Sequence, residues 1–371
     1  MAVVSFEKVT KKFGEVIALD QLNLDVLDDE FLVLLGPSGC GKSTALRMVA
    51  GLDEPTSGVV RINGQVVNGV DPKDRDVAMV FQSYALYPHK SVGQNIEFPL
   101  RARKVPSAER EALVAEVAAQ LDLLPLMNRK PRELSGGQRQ RVALARALVR
   151  RPAVFLMDEP LSNLDAKLRT QTRGELVDLQ QRLHTSFVYV THDQVEAMTM
   201  ATRVAVMLNG VLQQLGTAQD VYDRPANVFV AQFIGSPPMN IVDGTVLDEA
   251  GRRVVRVPGG TFAVSPALSA LLDAQPFEAK VHVGIRPEHL RLSVQGAGDE
   301  LGPALGVRAR VRLVEALGHE HHLICSLEDG TSVVVRVPVG EPKASDGETV
   351  WLTGDTDELH LFDANTGRRV A

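Results

Sequence analysis

The sequence predicts an α/β domain followed by a smaller all-β domain, and three features of the chain carry that prediction. Residues 1–235 alternate strand-like apolar runs with helical periods, as expected when strands and helices are laid down in turn around one sheet. The block Gly235-Ser236-Pro237-Pro238-Met239-Asn240 then breaks the pattern, and its paired prolines read as a stiff linker. Residues 236–371 change to short alternating runs separated by Gly, Pro and Asp, the period of half-buried strands.

The first strong element is Phe31-Leu32-Val33-Leu34-Leu35, a strand with no polar face. Gly36-Pro37-Ser38-Gly39-Cys40-Gly41-Lys42-Ser43-Thr44 follows at once and opens a helical pattern through Leu46, Met48 and Val49. A buried strand, a glycine-rich loop and a helix start in that order make a cradle for a nucleoside triphosphate. The glycines let backbone N–H groups turn inward around phosphate oxygens, and the helix adds its positive end. Lys42 can reach the β and γ phosphates, and the Ser43 hydroxyl suits Mg2+, which prefers oxygen ligands. Cys40 reads as a small side chain within the loop.

The next strand, Val77 to Phe81, ends in Gln82, and residues 107–124 place Leu113, Val114, Val117, Leu121 and Leu124 on one helical stripe after Ser107. Leu134-Ser135-Gly136-Gly137-Gln138 is a second glycine-bearing turn capped by serine at a helix start. Chemically it is a second anion site. Val154 to Met157 forms a strand of the kind buried on both faces of a parallel sheet, ending in the carboxylates Asp158 and Glu159. Asp158 suits indirect magnesium binding, and Glu159 suits a base or orienting group for the water that attacks the γ-phosphate. Phe187 to Thr191 ends in His192. Ligands of open parallel sheets collect at the carboxyl ends of strands, so Lys42, Gln82, Glu159 and His192 are expected to converge.

In the second domain, strands are expected at 253–257, 281–285, 307–313, 322–327, 332–337 and 359–362. Arg308, Arg310 and Arg312 alternate with Val307, Ala309, Val311 and Leu313 as the charged outer face of one strand. His319-Glu320-His321-His322 lacks the spacing and companion ligands of a zinc site and reads as a solvated turn.

Composition bounds the rest. The 371 residues are 44% hydrophobic and 23% charged, enough for two domains with cores. The formal net charge of -6 argues against wrapping nucleic acid. Cys40 and Cys325 are the two cysteines, so no disulfide framework exists and a reducing, cytoplasmic compartment is expected. No run of about eighteen apolar residues occurs. The start of the chain lacks a basic segment before a hydrophobic one, so neither membrane crossing nor export is expected.

On these motifs the chain resembles the ATP-binding cassette (ABC) family, whose signature pentapeptide is Leu134 to Gln138. Residues 161–165 resemble its dimer-contact loop. The resemblance implies that Phe13 stacks on adenine, that His192 senses the γ-phosphate, and that Gln82 links magnesium or water to the partner domain. It further implies a helical subdomain over about 88–150 within a nucleotide-binding domain of residues 1–235. Residues 236–371 are then a regulatory β domain of the OB-like, TOBE type, on the strength of Val283-Gly284-Ile285-Arg286-Pro287-Glu288-His289-Leu290. Residues 74–89, 161–169 and 191–194 resemble the ATPase subunits of bacterial maltose, trehalose and multiple-sugar importers. That implies a homodimer with two ATP molecules sandwiched between the phosphate loop of one copy and Ser135 to Gln138 of the other. Also implied are two transmembrane permease subunits, an extracytoplasmic substrate-binding lipoprotein, a regulatory protein on the carboxyl-terminal domain, and residence at the cytoplasmic face of the membrane. Importers of glycerol-3-phosphate, polyamines or iron share this layout, and a soluble ABC ATPase is the more distant alternative.

Overall fold

In the computed structural model the apolar runs at residues 31–35, 154–158 and 186–191 lie side by side as parallel strands, which is why they carry no polar alternation. The structure describes residues 2–249, 252–272, 278–293, 306–341, 344–354 and 356–370. Contacts divide the chain into Met1–Gln219 and Asp220–Ala371, a division that falls before the pattern break at Gly235.

The first unit contains β1 (Ala2–Phe13), β2 (Val16–Leu27), β3 (Phe31–Leu35), α1 (Lys42–Ala50), β4 (Ser57–Ile62), β5 (Gln65–Val66) and β6 (Val77–Val80). It continues through α2 (Val92–Ala102), α3 (Ser107–Gln120), α4 (Gly136–Leu148), β7 (Val154–Asp158), α5 (Ala166–Leu183), β8 (Ser186–Thr191), α6 (Gln194–Met200), β9 (Arg203–Leu208) and β10 (Val211–Gly216). One sheet, ordered β2-β1-β4-β5, is antiparallel; the other runs β10-β9-β3-β8-β7-β6 and is parallel except for β10. α1 belongs to the same apolar core as both sheets, burying Leu46, Met48 and Val49. At roughly 1.5–3 kcal/mol for each large apolar side chain removed from water, that core fixes α1 and hence the loop preceding it.

Arg75 adds a polar clamp. Its side chain is 1% exposed and donates to the carbonyls of Met48 (2.6 Å), Val49 (3.1 Å) and Val70 (2.9 Å). Met48 and Val49 lie in the last turn of α1, where helix carbonyls lack intrahelical partners, although the Met48 carbonyl also accepts the Gly51 N–H at 3.3 Å. Burial lowers the Arg75 pKa, against a smaller opposing effect of Glu54.

The interval between β6 and β7 is helical. Ser91 and Ser135 each close a reciprocal capping box, with Gln94 and Gln138 respectively. The expected stripe over 107–124 is corrected at its end. α3 stops at Gln120, Asp122 takes φ 55°, and Leu124 is 53% exposed in a short turn beyond the helix. The left-handed residue rotates the chain out of helical phase, so Leu121 is the last buried member of the stripe.

In the second unit every strand pairing among the described residues is antiparallel. The expected strands occur at Arg252–Val257, Lys280–Ile285, Val307–Ala316, Glu320–Ser326, Ser332–Pro338 and His360–Asp363, joined by Asn240–Glu249, Gly260–Ala263, Leu290–Ser293 and Thr349–Gly354. Val307, Ala309 and Val311 face the core while Arg308, Arg310 and Arg312 face out. Leu313 departs from that alternation and is 45% exposed, because the register with Glu320–Ser326 shifts between Val311 and Leu313. Glu320 lies at a strand start, bonded to His322 (2.8 Å) and Arg336 (2.7 Å), and the Arg336 and His322 contacts hold its carboxyl down at about 2. Arg286 is 1% exposed, stacks on Tyr222 at 3.6 Å, and donates to the Ile234 carbonyl at 2.7 Å. It fastens residues 222–234 to the strands of this unit.

Candidate nucleotide site

β3 delivers the chain into the loop at Gly36, where a side chain has no room: a Cβ there would lie 2.3 Å from the Met207 carbonyl and 2.6 Å from the Cys40 sulfur. Gly41 takes φ 102° at the start of α1, and a Cβ there would lie 2.5 Å from the Ala18 carbonyl. Only glycine meets both demands. The Lys42 ammonium, almost wholly buried, sits under the loop against the carbonyls of Gly36 (2.7 Å) and Pro37 (2.9 Å) and 3.7 Å from the Cys40 sulfur. Ser38 and Gly39 are exposed at the rim, and Ser43 and Thr44 are half-buried on the first turn of α1.

The strand ends bring two pairs together. The Ser43 hydroxyl donates to Asp158 Oδ1 at 2.8 Å, joining the phosphate loop to the end of β7. Both are oxygen ligands of the hard type that Mg2+ takes, so the residues present fit that ion. Among the described residues no group of three or more His, Cys, Asp and Glu could hold a metal ion by itself. The second pair is Glu159 Oε2 with His192 Nδ1, 3.2 Å apart. Glu159 takes φ 44°, its N–H bonding to the Val190 carbonyl at 3.0 Å. That left-handed geometry is strained for a residue with a side chain and turns the carboxylate off the end of β7 toward β8.

Gln82 is exposed after β6, and its carbonyl accepts from Asn163 Nδ2 at 2.9 Å, linking that loop to residues 161–165. Ser135 and Gln138 bond each other in the capping box of α4, with Gly136 and Gly137 in its first turn. Phe13 is half-exposed, with the Lys11 ammonium 4.7 Å from its ring centre. Neither Phe13 nor the Ser135 turn bonds to the phosphate loop of its own chain among the described residues.

Sequence reading passed over the support of the Gln82 segment. Tyr84 and Ala85 both take left-handed φ, 60° and 46°, and Arg146 holds their carbonyls at 2.8 and 2.7 Å. Buried Asn95 likewise bonds the Tyr87 N–H (2.8 Å) and carbonyl (3.2 Å). The strained turn borders an open groove of about 580 Å³ lined by Met79, Phe81, Tyr87, Phe98, Arg103 and Arg146, among others. Arg146 lies in a plain helical repeat, and only its reach across 61 residues reveals the role.

Comparison with known proteins gives the chain's family. Residues 19–162 match the ABC transporter family, residues 235–290 the MalK OB fold domain, and residues 283–362 the TOBE domain. The chain is 51% identical to the trehalose/maltose import ATP-binding protein MalK of Thermococcus litoralis, with all of both chains covered. It is 48% identical to the sn-glycerol-3-phosphate import ATP-binding protein UgpC of Cereibacter sphaeroides, again over both entire chains. Among solved structures, a dimeric ATP-binding cassette in a post-hydrolysis state with ADP and Pi matches 58% of this chain and 98% of its own, at 34% identity and a TM-score of 0.52. A phosphate loop, a signature turn and paired strand-end acids, joined to OB and TOBE domains and matched from end to end by import proteins, establish that the chain belongs to the ATP-binding subunits of ABC importers, which are ATPases.

Proposed function

We propose that this ATPase powers uptake of a carbohydrate, an oligosaccharide or disaccharide, through partner permease subunits. The observation that carries the hydrolytic part is the pairing of Ser43 with Asp158 and of His192 with Glu159 at adjacent strand ends. Lys42 and the loop N–H groups bind the β and γ phosphates. Ser43, Gln82 and Asp158 would hold Mg2+, which would supply neutralising charge to the triphosphate. Glu159 takes the proton of the attacking water, His192 orients that carboxylate and faces the γ-phosphate, and Phe13 stacks on adenine. Ser135 to Gln138, with Ser135 exposed at the start of α4, completes the site of a second copy, so that two ATP molecules hold a homodimer shut.

The groove beside Gln82 receives a permease helix at the cytoplasmic face of the membrane; its Phe81, Tyr87 and Phe98 supply apolar anchors and Arg146 a rim charge. Among the described residues no helix is long and apolar enough to cross a membrane. An extracytoplasmic binding lipoprotein delivers the solute. The nucleotide-binding domain expected over residues 1–235 carries its site within Met1–Gln219, and residues 236–371 form a regulatory domain open to a regulatory protein. The names of the relatives support two solute classes, carbohydrate and glycerol phosphate. Uptake of labelled trehalose, maltose and glycerol-3-phosphate, compared between the parent strain and one lacking this chain, separates them. Loss confined to the sugars is expected; loss confined to glycerol-3-phosphate would reverse the assignment.

A further inference from the structure

Tyr189 and Thr191 stand two residues apart on β8 and so point to the same side of the sheet. Both donate their hydroxyl protons to one oxygen of Glu196, at 2.9 Å and 2.7 Å, and Glu196 is 3% exposed on α6. Because the Thr191 hydroxyl gives its only proton to Glu196, its lone pair is left to accept the Asp193 N–H, which lies 3.0 Å away. The residues on both sides of His192 are thereby tied to one buried carboxyl. Asp193 is held from two further directions: its Oδ1 accepts the N–H groups of Val195 (2.8 Å) and Glu196 (3.3 Å), and its Oδ2 lies 3.6 Å from Arg169. Arg169 also donates to the Leu164 carbonyl at 3.1 Å, joining residues 161–165 to the same knot.

A buried acid is costly unless it is paired, and this one is paired with Tyr189 and with Thr191, the residue immediately before His192. We propose that Glu196 is a positioning residue for ATP hydrolysis, acting through the Thr191 hydroxyl to set the backbone on either side of His192 and so the imidazole beside Glu159. This rests on the reading of His192 as the group that orients Glu159. Burial, the largest influence, raises the Glu196 pKa, while the two hydroxyl bonds act in the opposite direction.

The test is steady-state ATPase kinetics of the full chain, with thermal unfolding measured alongside. Glu196→Ala should lower kcat roughly tenfold to a hundredfold and change the KM for ATP by less than about twofold. Glu196→Gln keeps an acceptor oxygen and should restore most of the rate. Thr191→Val, which removes the relay but keeps the shape and leaves Glu196 in place, should reproduce the kcat loss; it also serves if Glu196→Ala fails to fold. His192→Ala should lower kcat by at least as much, and adding Glu196→Ala to it should cost little more, since the two act on one element. Additive losses, or full kcat in Thr191→Val, would overturn the positioning role while leaving His192 intact. Full kcat in His192→Ala would remove the reading of His192 itself, and the proposal with it.

Discussion

The two units of this chain handle polar groups in opposite ways. In the first, β3 and β7 are apolar along nearly their whole length, β8 is buried throughout, and charged or ionisable side chains stand where the strands end, at Lys42, Asp158, Glu159 and His192. In the second, polar and apolar residues alternate within strands, as at Val307 to Arg312, so that charge is spread over a surface. Strands buried on both faces can present chemistry only at their ends, which brings it to one edge of the sheet. Half-buried strands offer polar groups everywhere and converge them nowhere in particular. The first arrangement gathers groups at one edge; the second spreads them over a surface.

The comparison breaks most visibly if turnover survives damage to the strand ends. Glu159→Gln keeps size and hydrogen bonding but removes the base, and should reduce ATP turnover on the order of a thousandfold with little loss of nucleotide affinity. Phosphate release together with fluorescent-nucleotide binding reads both quantities. A smaller effect is expected from Lys42→Ala, which removes a charge from the β and γ phosphates and should weaken ATP binding roughly tenfold to a hundredfold. Ser135→Arg should leave affinity in the isolated chain nearly unchanged while blocking turnover. Equal affinity losses in the two variants would argue against a signature turn that acts on another copy.

Truncation sharpens the division between the units. Ala231 and Met239 share a small core with Phe362, and Arg286 holds the Ile234 carbonyl. A chain ending at 240 therefore keeps residues 220–240 but exposes their apolar contacts, whereas one ending at 219 discards the whole segment. Both should bind ATP, with the shorter chain the more monodisperse in light scattering. A shorter chain that aggregates while the longer one does not would move the boundary toward Gly235.

The smallest expected effect lies in the second unit. His360 is 6% exposed, and burial holds its pKa down at about 4 from an ordinary 6.5. A depressed folded-state pKa means that the unfolded chain takes the proton first. Stability present above pH 6.5 is therefore lost progressively as the pH falls toward 4. The unfolding midpoint should drop by several degrees across that window. His360→Leu should flatten the dependence without altering turnover at neutral pH, and an unchanged slope would place the acid sensitivity elsewhere.

Much of the first unit was legible because its signals are local. Glycine spacing, a serine cap and two carboxylates after an apolar run each state a geometry within a few residues. What escaped reading depends on distance along the chain. Arg75 reaches 27 residues back to Met48, and Arg146 reaches 61 residues to Ala85. Glu196 is masked differently: it sits on a short helix where an acid reads as surface, yet Tyr189 and Thr191 cover it. The misplaced residues share another cause. Leu124 and Leu313 each lie just past a single irregularity, the left-handed Asp122 and the register shift after Val311. Periodicity carries no warning of either, because one displaced residue changes the face of all that follow.

The central claim is that the phosphate loop of one copy and the Ser135 turn of another enclose the same ATP. It is tested most directly by measuring the molar mass of Glu159→Gln by light scattering with Mg2+ and ATP, with Mg2+ and ADP, and again after adding Ser135→Arg. A dimer is expected with ATP, dissociation with ADP, and no ATP-dependent dimer once Ser135→Arg is present. A dimer that forms equally with ADP, or that survives Ser135→Arg, would contradict it.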